Sequence, residues 1–192
     1  KALACKGDMP FASYALGQAY EIGQGVKADE QKAAQHYTQA LTGFTAIYEK
    51  SHEDSISYRL GTMYLKGKGT DVDLAKAEKY LLESADNGNN QAQYQLGKLR
   101  LAQDRIDEAE QLFISSSEKE NLYASYKLGK LYLTDRKLDY TKAVKYLKPC
   151  ADKADNEYAQ YALGCIYLKK EHYDRKLAEK YLLESSGHNN SS

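Results

Sequence analysis

Tryptophan is absent from the 192-residue chain, proline occurs only at Pro10 and Pro149, and cysteine only at Cys5, Cys150 and Cys165. So few prolines leave long helices unbroken and argue against an all-β or disordered chain. The scattered cysteines are too few for a disulfide framework or a zinc site, and they fit a reducing, cytoplasmic compartment. No apolar run approaches the roughly 20 residues that span a bilayer. The opening residues hold no apolar core long enough for a secretory leader. An excess of one charge is also missing. The 27 Lys plus Arg balance 27 Asp plus Glu, so the whole chain does not read as a basic nucleic-acid-binding domain. What abounds is tyrosine, with 18 residues beside 3 Phe.

Most of that tyrosine falls in repeats. Leu-Gly recurs at Leu16-Gly17, Leu60-Gly61, Leu96-Gly97, Leu128-Gly129 and Leu163-Gly164. Three residues before each Gly stand Tyr14, Tyr58, Tyr94, Tyr126 and Tyr161. Three after it stand Tyr20, Tyr64, Tyr132 and Tyr167, with Arg100 as the exception. A second block follows each time, built on Ala33, Ala77, Ala109, Ala143 and Ala178, with aromatic or apolar residues three and four positions later. Both blocks have helical spacing, so each repeat is predicted to be an antiparallel pair, helix A then helix B. A glycine inside a helix costs about 0.5–1 kcal/mol relative to alanine. Five at one position call for a common cause, predicted to be close approach of helix B through the small surface of its alanine.

Punctuation supports the pairs. Asn89, Asn121 and Asn156 share one column and suit the N-cap of helix A, and Pro10 suits a first turn. Helix B is predicted to end near Gly43, Gly88 and Gly187. From helix-B Ala to the next helix-A Gly takes 28 residues in the first copy, against 20, 20 and 21 later. The surplus predicts a lengthened helix B around residues 42–53. The third copy has a tight turn at Gln103-Asp104-Arg105.

The unit Ala-x-Tyr-x-Leu-Gly-x-x-Tyr, the loops Gly23-x-Gly25-Val26-x-x-Asp29 and Gly67-x-Gly69-Thr70-x-x-Asp73, and Lys-Ala-x-x-x-Tyr resemble Sel1-like repeats, relatives of the tetratricopeptide repeat. The resemblance implies an all-α, right-handed α-solenoid of about five antiparallel helix pairs. It places repeats at about 12–53, 54–89, 90–121, 122–156 and 157–186. Residues 1–11 then read as the end of a preceding repeat or cap, and 187–192 as a tail. Lys1–Gly7 resembles the end of a helix B, and Leu183–Asn190 mirrors Leu82–Asn89, so the chain is expected to be part of a longer array. The family implies a scaffold for protein complexes and carries no shared catalytic residues. The Tyr158–Leu168 block also resembles the repeat tails of mobilisation relaxases, which gives an alternative reading as the non-catalytic region of a larger DNA-processing protein.

Catalytic chemistry is hard to find. The glycines and lysine of Gly61–Lys68 miss the phosphate-loop spacing by one residue, and Gly61 belongs to helix A. His36, His52, His172 and His188 show no metal-ligand spacing with one another or with Cys. Cys150 falls in a small-residue column of helix B, and no acid or base is placed to activate Cys165. No catalytic, cofactor or metal site is therefore expected, and the chain is not read as an enzyme.

One stripe stands out. Positions two before, one after and five after each Gly share a face of helix A, which lines the concave surface in the resembling family. In repeats two to five its charged members are Arg59, Lys66, Lys98, Lys127, Lys130 and Lys169, all basic. Tyr123 and Tyr158 share a further column, six before Gly, outside the structural ones. These eight residues are the candidate partner-binding set. The expected partner is a protein or peptide, acidic in character. Neither a membrane nor nucleic acid is expected to bind this region.

Overall fold

The computed structural model describes residues 9–187. Ten α-helices follow in order: Met9–Ile22 (α1), Glu30–Ser51 (α2), Asp54–Lys66 (α3), Leu74–Asp86 (α4), Asn90–Ala102 (α5), Ile106–Ser117 (α6), Leu122–Leu131 (α7), Tyr140–Ala154 (α8), Glu157–Tyr167 (α9) and Arg175–Gly187 (α10). A 3₁₀ turn covers Lys170–His172, and no strand occurs among the described residues. The chain divides into two compact units between Leu96 and Gly97. In the first, α1 pairs with α2 and α3 with α4. In the second, α7 pairs with α8 and α9 with α10. None of the described helices is long and apolar enough to cross a membrane. Residues 1–8, part of the stretch 1–11 read above as the end of a preceding repeat or cap, and 188–192, which include His188, lie outside the described residues.

The caps follow from the sequence. Asn89 Oδ1 accepts from the N–H groups of Gln91 and Ala92, Asn121 Oδ1 from Tyr123 and Ala124, and Asn156 Oδ1 from Ala159. These bonds satisfy donors that the first turn cannot pair internally. Helix B has its own column. Asp29, Asp73, Asp139 and Asp174 each accept the N–H three residues on. The last two copies have thus lost the glycines of the family loop but kept its cap. In the third copy Arg105 stands there and makes no side-chain cap. Helix α2 runs 22 residues, the lengthening that the insertion predicted. Gly43 does not end it, contrary to expectation. It lies within α2, where a Cβ would collide with the Pro10 ring.

The glycine column serves close approach of helix B, as predicted, but the residue it meets is not the alanine. A Cβ at Gly17 would lie 2.7 Å from the Tyr37 ring, at Gly61 2.7 Å from Leu81, and at Gly97 2.7 Å from Phe113. Gly129 faces Leu147 and Gly164 faces Leu182 in the same way. Each opposing residue stands four after the helix-B alanine. The glycine therefore admits a large side chain rather than meeting the small one. The alanines are buried beside it: Ala77, Ala109 and Ala143 have no exposed surface.

Tyrosines fill the neighbouring layer. Tyr64 stacks on Tyr80 at 5.8 Å, Tyr132 on Tyr146 at 5.8 Å and Tyr167 on Tyr181 at 6.0 Å, with interplanar angles of 7°, 16° and 7°. His36 takes the helix-B place in the first copy and stacks on Tyr20 at 5.5 Å. Lys32, Lys76 and Lys142 lie over the helix-A rings Tyr20, Tyr64 and Tyr132 at 5.4, 5.1 and 5.1 Å. Such cation–π contacts add about 0.5–1 kcal/mol at exposed sites.

Candidate protein-binding face

Helix A positions the candidate residues. In α7, Tyr123, Lys127 and Lys130 follow at i, i+4 and i+7, so they share one face. In α9, Tyr158, Ala162 and Cys165 repeat that spacing, and Lys169 lies just past the helix end. Tyr123 is 71% exposed and Tyr158 is 65% exposed. Lys98, Lys130 and Lys169 are exposed, and Lys127 is half-buried. Helices α5 and α7 contain no Asp or Glu, and α9 has only Glu157, in its first turn. Three acids of the third repeat, Asp107, Glu108 and Glu110, sit on α6 and are engaged. Glu108 holds Arg105 and Arg100, while Asp107 and Glu110 hold Lys137. The basic character of α5 and α7 therefore has no acid on the same helix to offset it.

In the first unit the stripe looks different. Lys66 is exposed, but the Arg59 guanidinium lies over the rings of Phe11 and Phe44, at 4.8 and 5.8 Å. Thr62, one after Gly61 in the same stripe, is buried and bonds back to the Arg59 carbonyl. Two of the three stripe positions of repeat two are thus drawn into packing.

A residue outside the candidate set belongs to this face. Tyr161 stands in the column that repeats use for packing, yet it is 59% exposed. The Cys165 thiol beside it raises its pKa above the usual phenol value. Tyr126, the equivalent residue of α7, is half-buried, and burial together with the nearby Tyr158 raises its pKa. Lys130 lies 5.8 Å from the Tyr126 ring centre. The column alone did not distinguish Tyr161 from Tyr126, because the difference is which residues pack beyond them.

Among the described residues no group of three or more His, Cys, Asp or Glu is placed to hold a metal ion. His36 is stacked in the tyrosine layer, and His52 caps α2 in the left-handed region at φ 47°. His172 lies edge-on to Tyr140. Gly67 and Gly69 are loop residues with φ of 65° and 75°, while Gly61 is buried inside α3.

The family described as Sel1 repeat matches residues 10–42, 57–89, 122–155 and 157–186. The matched segments cover more than half of the chain. Residues 90–121, where Arg100 and Arg105 replace repeat residues, are not among them. A Sel1 repeat protein from Oxalobacter formigenes is similar in fold, with 23% identity over 95% of this chain and 75% of that one, and a TM-score of 0.69. The protective antigen c5321 of uropathogenic Escherichia coli, described as displaying an SLR fold, shares 22% identity over 95% of this chain, with a TM-score of 0.60. This chain covers 47% of that antigen's length. MamA is 20% identical over 83% of this chain and 93% of its own, also with a TM-score of 0.60. The fold class is thus all-α, of the helical-repeat solenoid type.

Proposed function

We propose, for a chain that belongs to the Sel1 repeat family, that the helix-A face of residues 97–192 binds an acidic segment of a partner protein and that the chain acts as an interaction scaffold. Sel1 repeats generally mediate protein–protein contacts and are typically non-catalytic. The observation that carries this reading is the exposure of Tyr123 and Tyr158, 71% and 65%, on helix faces shared with Lys127, Lys130 and Cys165. Tyrosine offers a large amphipathic contact at the entropic cost of two side-chain torsions. Lysines around it would steer an acidic chain and set its register more than its affinity. Lys98 extends the same column by one repeat, and Lys169 lies past the end of α9.

The test is a titration of a labelled Glu/Asp-rich peptide against the wild-type chain and a Lys98→Glu, Lys127→Glu, Lys130→Glu variant. The variant is expected to bind at least about tenfold more weakly, and the wild-type affinity to fall with added salt. Equal affinity and equal salt dependence in the two proteins would sink the proposal.

A further inference from the structure

A cleft of about 260 Å³ lies at the junction of repeats three and four, inside the second unit. Its walls are the end of α6 with the turn that follows, the start of α7, and one stripe of α8. Leu122, Tyr146 and Pro149 give it an apolar floor. Pockets that hold whole small ligands run to roughly 300–1,000 Å³, so this one suits a single side chain.

The polar groups of two walls are acceptors. Pro149 lies inside α8 and has no N–H, so the Lys145 carbonyl four residues back loses its helical donor. No group from another element donates to that carbonyl among the described residues. Across the cleft, the Ser117 and Ser125 oxygens lie 2.7 Å apart, and the Ser125 hydroxyl donates to the Asn121 carbonyl at 3.3 Å. Ser125 has one hydrogen, so Ser117 is the donor within the pair and its oxygen keeps lone pairs to offer. Glu118 and Glu120 complete this wall; both are exposed, and no ion pair engages either among the described residues.

The donors on the lining stand apart from these acceptors. Lys145 and Lys153 flank Pro149 on α8, and neither pairs with Glu118 or Glu120. The Lys145 ammonium lies 5.1 Å from the Tyr146 ring centre, and Lys153 is exposed. An occupant of the acceptor walls must bring several donors. A guanidinium brings five and accepts none, and its stem can lie along the apolar floor. The eight residues from Lys145 to Lys153 span about 12 Å of helix. In an extended segment, residues two before and two after an arginine are about 13 Å apart and point to the same side as it does.

We infer that this cleft docks an extended segment of a partner protein with the pattern Glu-x-Arg-x-Glu. The arginine enters between the Ser117–Glu120 wall and Pro149, and the two glutamates reach Lys145 and Lys153. The site uses none of the helix-A lysines and stands whether or not that face binds an acidic segment.

An NMR titration of the isotopically labelled chain with the end-blocked peptide Glu-Ser-Arg-Ser-Glu tests this. Saturable shifts are expected at the amides of Ser117, Leu122, Ser125 and Lys153. Citrulline in place of arginine keeps the shape but removes the charge and a donor, and is expected to bind at least about tenfold more weakly. Glu118→Gln with Glu120→Gln should weaken the arginine peptide to a similar degree. Pro149→Ala returns an N–H to the helix and takes up the Lys145 carbonyl, so it should weaken binding about threefold while circular dichroism shows helicity kept or raised. The Lys98→Glu, Lys127→Glu, Lys130→Glu variant should bind the peptide as the wild type does. The inference is overturned by an absence of saturable shifts, by equal affinity for the citrulline peptide, or by binding that the two glutamine substitutions leave unchanged. Shifts confined to α5 and the exposed face of α7 would place the peptide on the helix-A face and overturn it as well.

Discussion

Arg100 is 4% exposed and its guanidinium lies 3.3 Å from the Glu108 carboxylate, at the place where repeats one, two and four set a tyrosine ring beneath a lysine. Arg100 stands in the Tyr20, Tyr64 and Tyr132 column, and Glu108 in the Lys32, Lys76 and Lys142 column. The third repeat has exchanged a cation over an aromatic ring for an ion pair with the cation buried. Glu108→Ala is expected to destabilise by about 1–3 kcal/mol, because it leaves a buried charge with one partner fewer. Joint replacement of Arg100 by Tyr, Glu108 by Lys and Leu112 by Tyr should restore the stacked arrangement and return stability to within about 1 kcal/mol of wild type. Urea unfolding midpoints measure both. A Glu108→Ala midpoint equal to wild type would show that the pair contributes nothing.

The glycine column gives a sharper stability test. Gly97→Ala places a methyl group 2.7 Å from the Phe113 ring. Overpacking of that kind costs about 1–3 kcal/mol, more than the gain in helix propensity of up to about 1 kcal/mol. Gly187→Ala meets nothing within 4 Å and is expected to be neutral or mildly stabilising. Gly97→Leu and Gly129→Leu should be far worse than Gly97→Ala. Adding Phe113→Leu to Gly97→Ala should recover part of the loss, and a double-mutant cycle reads that coupling. Simple additivity would mean that the glycine does not serve the opposing ring.

The column was legible in the sequence, but its partner was not. Periodicity identified two helices and a glycine seam. It could not say which turn of helix B lay opposite, because Ala109 and Phe113 stand four apart on one face. The three-dimensional register decides that, and it brings the large residue to the glycine. The same limit applies to Gly43, whose neighbour Pro10 is distant in sequence. Caps were easier to read: an Asn or Asp bonds backbone two or three residues away, so chain-local spacing suffices. The candidate face lay between these cases. Tyr123, Lys127 and Lys130 can be placed together by helical spacing alone. The diversion of Arg59 onto Phe11 and Phe44 depends on contacts between repeats.

A pH test addresses the junction between α6 and the loop after α7. Burial pushes the Glu110 carboxyl towards a higher pKa, but hydrogen bonds from Lys137 and Tyr132 outweigh it and hold the pKa below its ordinary value. Asp107 shares Lys137, and Lys142 adds a further positive charge nearby. The folded-state pKa is thus below the unfolded one, and the unfolded chain binds more protons in acid. The stabilisation is present above the unfolded carboxylate pKa and is lost as pH falls through the folded value. Glu110→Gln should therefore be less stable than wild type near neutrality and should lose less stability on acidification. Parallel unfolding curves from pH 7 down to pH 3 check this, and identical acid slopes would argue against the ion pair.

The cysteines provide a local probe of the second unit. Cys150 is 1% exposed, its thiol points towards the carbonyls of Leu122 and Tyr146, and burial pushes its pKa up to about 11. The thiolate is the reactive form, so at pH 8 only about one Cys150 in a thousand would carry it. Cys165 is half-buried, with Tyr161 at its side. In a Cys5→Ser background, iodoacetamide should modify Cys165 at least about tenfold faster than Cys150, with peptide mass spectrometry assigning each site. Urea should remove the difference, because unfolding exposes both thiols alike. Cys150→Ala should lower stability by about 1 kcal/mol through lost packing against α7, whereas an exposed cysteine would be neutral to the change. Equal alkylation rates in the native chain would show that the end of α8 opens from α7 as readily as the α9 surface meets solvent.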